Sequence, residues 1–576
     1  MMKSLKAIFT FIVVVIMVSA CGGGQAPVAT ESAPVGATTA PPTQVGPTST
    51  PVPAVVRIGG SGGPDTLNPA TALMSRSFII FELVYSSLYE LQLDGTYSLD
   101  LLESAENSPD GLVWTYKLRT GAKFHDGQPL TARDVLFSYQ LYMGNPDSGE
   151  SFPYMTPYTE GFSKVEAPDD QTVVLTLNEP IPNIESRIAF MYILPEHIWK
   201  DFNTFKAASE YTNDALVGSG PFKLKEYKQN EFTHLVANRE YFGKGPKVDE
   251  VIFQVFENAD VMVQALKTGQ VDMVTDVLNT AIPALKNAEN VKVVSGPPFA
   301  PDVTDILINL VDPANCPEGS ACTGHPSLRD RNVRLALSHA TDKQDLINVI
   351  LLGLGTPGVT LIPDSLGIWY NNTIQDYAFD LDKANQLLDA GGYKDTDGDG
   401  VRQMPDGSNP LIYRLNWSSD STTSQRLAEM VSKTWEKIGV KTQMQALDPN
   451  ALTTICCPNF DFDLIIWGWG SDPDPKALLN VMTTKEITTG VSETGYSSPE
   501  YDALYDQSNT EMDQQKRVDI IWKMQQIVHN DVVYIIPYYS QAVEAYRTDR
   551  FKGWIIDAPK LSLEDVSSLL VVEPAQ

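Results

Sequence analysis

Short apolar runs of β character alternate with amphipathic stretches of helical period along most of this chain, and that alternation argues for an α/β protein. The runs WTYKLR, TVVLTL, EVIFQVF, VKVVSG, IYRLNW and FDLIIWGW read as strands. Among them, ADVMVQALKTG, DVLFSYQLYM, NVRLALSHA, SQRLAEMVSKTWEKIG and QQKRVDIIWKMQQIVHN place apolar residues three and four apart, as helices with one buried face do. The body starts at AVVRIGGSG, a strand ending in glycines, and continues into SFIIFELVYSSLYEL, whose apolar residues recur at helical spacing. At 576 residues the chain exceeds what one hydrophobic core organises, so two or three domains are expected.

What precedes the body is of a different kind. Lys3 and Lys6 introduce AIFTFIVVVIMVSA, an apolar run too short for a comfortable membrane span, which is the pattern of a secretory signal over residues 1–20. It ends at MVSAC followed by GGG, which resembles the site at which bacterial lipoproteins are cleaved and acylated; the resemblance implies a lipid on Cys21, against the alternative of an ordinary signal peptide cut nearby. Residues 22–53 are Gly, Ala, Pro, Thr, Ser and Val with two glutamines, a single charge, Glu31, and no apolar face to bury. Extended as polyproline II at about 3.1 Å per residue, this tether would let the body range on the order of 100 Å from a membrane. Anchor, tether and body is the expected plan. The 72 acidic against 42 basic residues give a formal charge of -30, which repels nucleic acid and anionic lipid, so a nucleic-acid partner is set aside and the membrane is reached only through the lipid.

Export permits disulfides. Cys316 and Cys322 lie in NCPEGSACTG, a loop that suits a short bridge, while the adjacent Cys456 and Cys457 suit either a vicinal bridge or two free thiols. Neither pair has the C-x-x-C spacing of a redox motif. The stretch KDTDGDGVRQMPDG matches the calcium-loop pattern D-x-[DN]-x-[DN]-G-x5-E with Asp in the last place. Asp395, Asp397 and Asp399 would give side-chain oxygens, Val401 its carbonyl and Asp406 a carboxylate, with Gly400 allowing the bend. A helix, DLDKANQLLDAGGY, precedes it and a strand, LIYRLNW, follows, so the expectation is an isolated structural Ca2+ site; a metal-free turn is the other reading.

Hydrolase, metalloprotease and P-loop signatures are absent, and the six histidines show no metal-ligand spacing, so no enzyme is expected. The segment ENSPDGLVWTYKLRTGAKFHDGQPLTARDVLFSYQLYM resembles the signature of the family 5 extracellular solute-binding proteins, which are binding components of ABC importers. The blocks PDTLNPA, GSGPFKLKEY, REYFGKGPKVDEVIFQV, ALKTGQVDM, HPSLRDRNVRLALSHATDKQDLI, WGWGSDPDP and GYSSPEYDALYDQ recur in that family's order. His125, inside FHDG, reads as a turn residue that caps its own backbone.

That resemblance implies a two-lobed fold of the type II periplasmic-binding-protein kind with an additional third domain. Lobe I is placed at 54–98, 216–300 and 541–576, the additional domain at 99–215 and lobe II at 301–540, with a ligand cleft that closes by a hinge. In IIWGWGSDPDP, Gly468 and Gly470 would let a ligand approach the backbone, Trp467 or Trp469 would offer a flat wall, and Asp472, three places after Trp469, would accept a peptide's α-ammonium. Asp474 reads as a turn residue. Leu73 and Ser75 resemble, by position after LNP, a segment that lines the cleft; the competing reading makes them the approach to a helix. The implied function is capture of oligopeptides or dipeptides by a monomeric, exported lipoprotein and delivery to a membrane permease served by ATPase subunits. An oligosaccharide, a nickel chelate, or a surface peptide sensor uncoupled from transport are the alternatives.

Overall fold

The two apolar residues of a strand that face one way and the one between them that faces the other decide how this body is layered. In a computed structural model, which describes residues 52–144, 152, 155–300 and 302–575, Leu464 and Ile466 enter one apolar cluster with Tyr413 and Trp435. Ile465, between them, enters another with Leu307, Tyr501 and Ile521. The strand Leu464–Gly470 is therefore central in a sheet buried on both faces. Cys21, the signal and the tether before residue 52 lie outside the described residues.

This sheet has six strands in the order Gly355–Thr356, Tyr534–Ser540, Asp302–Ile308, Leu464–Gly470, Ile412–Ser418 and Lys441–Leu447. A second sheet has seven, in the order Val291–Gly296, Ala542–Arg547, Met273–Val274, Val55–Gly60, Glu250–Val255, Phe232–Ala237 and Phe222–Lys228. Val55–Gly60 lies in its middle, parallel to both neighbours. The chain leaves the seven-stranded sheet at Gly296, enters the six-stranded one at Asp302, leaves that at Ser540 and returns at Ala542. A four-stranded antiparallel sheet, Leu102–Asn107, Val113–Leu118, Thr172–Leu177 and Phe162–Asp169, shares a continuous core with the seven-stranded sheet through Phe81, Tyr116, Tyr139 and Trp199.

Most runs read as strands or helices take those forms. The exception is SFIIFELVYSSLYEL: its helix, Ser75–Val84, stops at Val84, and Tyr89–Leu91 is a strand paired with Tyr97–Leu99. The boundary expected at 98/99 falls inside the second strand of that hairpin. The break has a local cause. Gly218 and Gly220 run so close beneath the end of this helix that a Cβ on Gly218 would stand 2.0 Å from the Val84 carbonyl oxygen, and Gly220 N–H donates to that oxygen at 2.8 Å. The carbonyl that would continue the helix is already used.

His125 clasps the same segment. Its backbone N–H donates to the Gly218 carbonyl at 2.8 Å, Nδ1 accepts from Gly218 N–H at 3.3 Å, and Nε2 stands 3.0 Å from the Gly220 carbonyl. It caps a distant strand approach rather than its own turn, and burial lowers its pKa to about 4, so the ring is neutral. The helix opening LTARDV is held by Thr131 and Asp134, whose carboxylate accepts from the Thr131 N–H at 2.8 Å. Gly218→Ala forces backbone against backbone, and we expect a loss of roughly 1–3 kcal/mol in urea unfolding; an unchanged midpoint would contradict this packing.

Candidate functional site

The loop that follows Leu464–Gly470 carries its aspartates into a cleft. A cavity of about 790 Å³ is lined from the four-stranded domain by residues that include Tyr158, Glu160 and Arg187, and from the six-stranded lobe by Asp472, Asp474, Lys476 and Arg517. A second cavity of about 490 Å³ shares Ser186 and Asp474 with it and is bounded by the hairpin residues Tyr89 and Tyr97, by Trp369 and by Lys560. The two make a trough around Asp474.

Asp474 is not a free turn residue. Its carboxylate forms a two-pronged pair with Arg517, Nη1 to Oδ2 at 2.5 Å and Nη2 to Oδ1 at 2.8 Å, and also accepts from Asn183 Nδ2 at 3.2 Å and Lys476 N–H at 3.0 Å. Arg517 is buried, and its guanidinium lies 4.9 Å from the centre of the Trp369 ring. Both the charge of Arg517 and these hydrogen bonds hold the Asp474 carboxyl below its ordinary range in spite of burial. The sequence signal for Arg517 was a cation on the apolar stripe of the helix Gln514–Asp531, one turn before Ile521 and two before Met524, where only a partnered charge is tolerated.

Asp472 differs. The residue reaches solvent in the open trough, yet enough protein surrounds the carboxyl that desolvation, followed by the neighbouring charge of Asp474, raises its pKa. A hydrogen bond from Tyr158 opposes that shift, and no lysine or arginine pairs with it among the described residues. It is a cleft carboxylate without a counter-charge.

The rest of the WGWG segment is turned elsewhere. Trp467 and Trp469 lie two apart on one face of their strand and pack against the lobe's apolar cluster, and the Trp469 indole donates to Glu493 Oε2 at 2.7 Å. Neither lines the cavities, so the flat wall expected of them is absent there. Gly468 is close-packed for an internal reason: a Cβ would stand 2.7 Å from the Val303 carbonyl oxygen of the neighbouring strand. Gly470 alone faces open space. Leu73 is exposed, its N–H donates to Asp65 at 3.0 Å, and Ser75 is the first residue of its helix; neither lines the cavities.

Around the calcium-loop pattern, Asp395, Asp397 and Asp399 each bring a carboxylate oxygen within 4.8 Å of the others, a span that suits one shared cation. Two of the five expected ligands do not join them. The Val401 carbonyl accepts from Gln403 Nε2 at 2.8 Å, and Asp406 turns to Ser408, accepting from its N–H at 2.9 Å and its hydroxyl at 2.6 Å. The shorter side chain at the last position bonds its own turn instead of reaching back. Cys316 is bonded to Cys322 and Cys456 to Cys457.

Known proteins share this architecture. Residues 96–489 match the pattern of the bacterial extracellular solute-binding proteins, family 5, and the chain belongs to that family, whose members bind solutes and do not catalyse. It is 28% identical over 491 residues to the oligopeptide-binding protein AppA of Bacillus subtilis (strain 168), covering 84% of this chain and 85% of the relative. It is 27% identical over 496 residues to the probable D,D-dipeptide-binding periplasmic protein DdpA of Escherichia coli (strain K12), covering 83% and 87%. Among solved structures, that of AppA from Bacillus subtilis with a nonapeptide aligns with a TM-score of 0.69 at 25% identity over 91% of this chain and 99% of that one. The substrate-binding protein CtaP from Listeria monocytogenes aligns at 0.76 and 24% identity, over 91% and 99%. The fold is thus the two-lobed type II periplasmic-binding fold. No helix among the described residues is long and apolar enough to cross a membrane.

One buried acid pair stands behind the site. Asp305, on the strand facing Trp467, is fully buried with neither carboxyl oxygen hydrogen-bonded among the described residues, and Glu493, which holds Trp469, is 5 % exposed. Burial, and for Asp305 the nearby Glu493, raises both pKa values, that of Glu493 to about 7. A group raised on folding stabilises the fold below its unfolded pKa and loses that contribution as pH climbs through the folded one. Stability should therefore fall between about pH 4.5 and pH 7 on account of Glu493. Glu493→Gln, which keeps the acceptor for Trp469, should flatten that fall and gain on the order of 2 kcal/mol at pH 8 in urea unfolding; a wild-type slope in the variant would count against it.

Proposed function

We propose that this protein captures peptides in the trough around Asp474, with Asp472 accepting the N-terminal ammonium, and delivers them to the permease of an ABC importer. The observation that carries this reading is the contrast between two aspartates a residue apart. Asp474 is fully satisfied by Arg517, whereas Asp472 presents a partly desolvated carboxylate to the cleft with no cation of its own. A group so placed favours a ligand that brings a positive charge. The names of the relatives, oligopeptide- and dipeptide-binding, point the same way.

Other ligand classes are less well served. Among the described residues no histidine or cysteine lines either cavity, which leaves a nickel chelate without soft or imidazole donors there. A sugar would look for exposed tryptophan, but Trp467 and Trp469 face the core and Trp369 is covered by Arg517. We further propose an acyl chain on Cys21, a tether over residues 22–53 and a monomeric body on the outer side of a membrane. A structural Ca2+ held by Asp395, Asp397 and Asp399 belongs to the same proposal, in support of which stands the convergence of their oxygens.

Asp472→Ala should weaken peptides with a free N-terminus by about 2 kcal/mol or more, roughly thirty-fold, and N-acetylated peptides far less, as read by isothermal titration calorimetry. Equal losses for both would refute the ammonium role. For the cation, EDTA should lower the melting temperature and added Ca2+ restore it, with Asp397→Asn abolishing the response. A melting temperature indifferent to both reagents would remove calcium from this account.

A further inference from the structure

A smaller chamber of about 40 Å³ adjoins the trough, and Tyr89 belongs to the walls of both. That space holds the head of a side chain but not a whole ligand. Its acidic wall is made by Glu82 on the helix Ser75–Val84, Glu90 on the hairpin, Asp100 and Asp565. Among the described residues no lysine or arginine lines it. Lys560, whose ammonium stands 5.9 Å from the Phe299 ring, lines the trough and not the chamber.

These carboxyls are only partly satisfied from within. The Glu82 carboxyl makes no hydrogen bond and no ion pair among the described residues. Asp565 spends one oxygen on Ser567 at the start of the last helix. Asp100 accepts from Ser87 N–H at 3.2 Å and from the Tyr241 hydroxyl at 3.3 Å, and Arg119 donates to the main-chain carbonyls of Asp100 and Leu99. The adjacent Glu564 is already taken by Arg76. Desolvation first, and then mutual repulsion, raises Glu82 to about 8 and Glu90 to about 7, while desolvation raises Asp100 to about 6. Tyr89 is 5 % exposed, and its hydroxyl, which solvent still reaches, has no hydrogen-bond partner among the described residues.

The arrangement favours an organic cation over a metal ion. Among the described residues only Asp395, Asp397 and Asp399 bring three carboxylates close enough for one ion, so the four here are spread around their space. Tyrosine rings complete the wall, Tyr85, Tyr89 and Tyr241 among them, and an ammonium or guanidinium gains from such faces as well as from carboxylates. We propose that this chamber receives the basic side chain, lysine or arginine, of a peptide lying in the trough, and so selects cationic peptides. The inference rests on the peptide reading given above and adds a side-chain preference to it.

Alanine pentapeptides carrying one lysine, or one norleucine, at each position in turn test it by calorimetry against the full-length chain. At one position lysine should bind at least tenfold tighter than norleucine. Glu82→Gln, and separately Glu90→Gln, should bring the two within about twofold while norleucine peptides bind as to wild type, which also reports an intact fold. Equal affinities at every position, or a lysine preference that survives Glu82→Gln, would overturn the proposal. If none of the pentapeptides binds, the peptide reading fails, and the chamber is then read with agmatine by thermal shift. Stabilisation of wild type but not of Glu82→Gln would support the cation site; no difference between them would overturn it.

Discussion

The pair between Asp474 and Arg517 is the contact on which the geometry of the cleft depends. It ties the loop after the central strand of one lobe to the helix Gln514–Asp531, accepts Asn183 from the opposite domain, and rests on Trp369. A buried pair of this kind gains little over apolar packing in stability, but loss of either partner leaves an uncompensated charge, at a cost of about 3–5 kcal/mol. Its value lies in position: with Asp474 held twice by one planar group, the neighbouring Asp472 is fixed in direction without being neutralised.

The fold was legible in the sequence because periodicity reports burial. Thr172–Leu177 and Val291–Gly296 coincide with runs read as strands, and Gln514–Asp531 matches its helical stripe. SFIIFELVYSSLYEL was misread because its apolar pattern suits a helix to the end, and what ends the helix is a glycine segment more than a hundred positions away in sequence, Gly218 to Gly220.

The site was legible in part, for a related reason. The aspartates after WGWG do reach the cleft, but the tryptophans before them obey strand alternation and turn to the core. A motif names a segment; the two-residue period decides which of its side chains face outward. The partners that set the chemistry, Arg517, Glu493 and Asp305, come from separate elements and could be suspected only as charges in apolar company.

Charge is also unevenly spent. The surplus of acid, 72 residues against 42, is not confined to the solvated surface, since Asp305, Glu493, Glu544, Glu564 and Asp565 are all buried. Several of these lie where the seven-stranded lobe meets its last helix or where Trp469 is held, so proton uptake acts on the packing of those elements.

The two passages of the chain between lobes are of very different length, five residues from 297 to 301 and the single residue Gln541. Because one residue spans no more than about 3.6 Å, the ends of Tyr534–Ser540 and Ala542–Arg547 cannot part. The lobes thus share a fixed fulcrum at residue 541, and a small rotation there is magnified into a large change in width at the far rim of the trough.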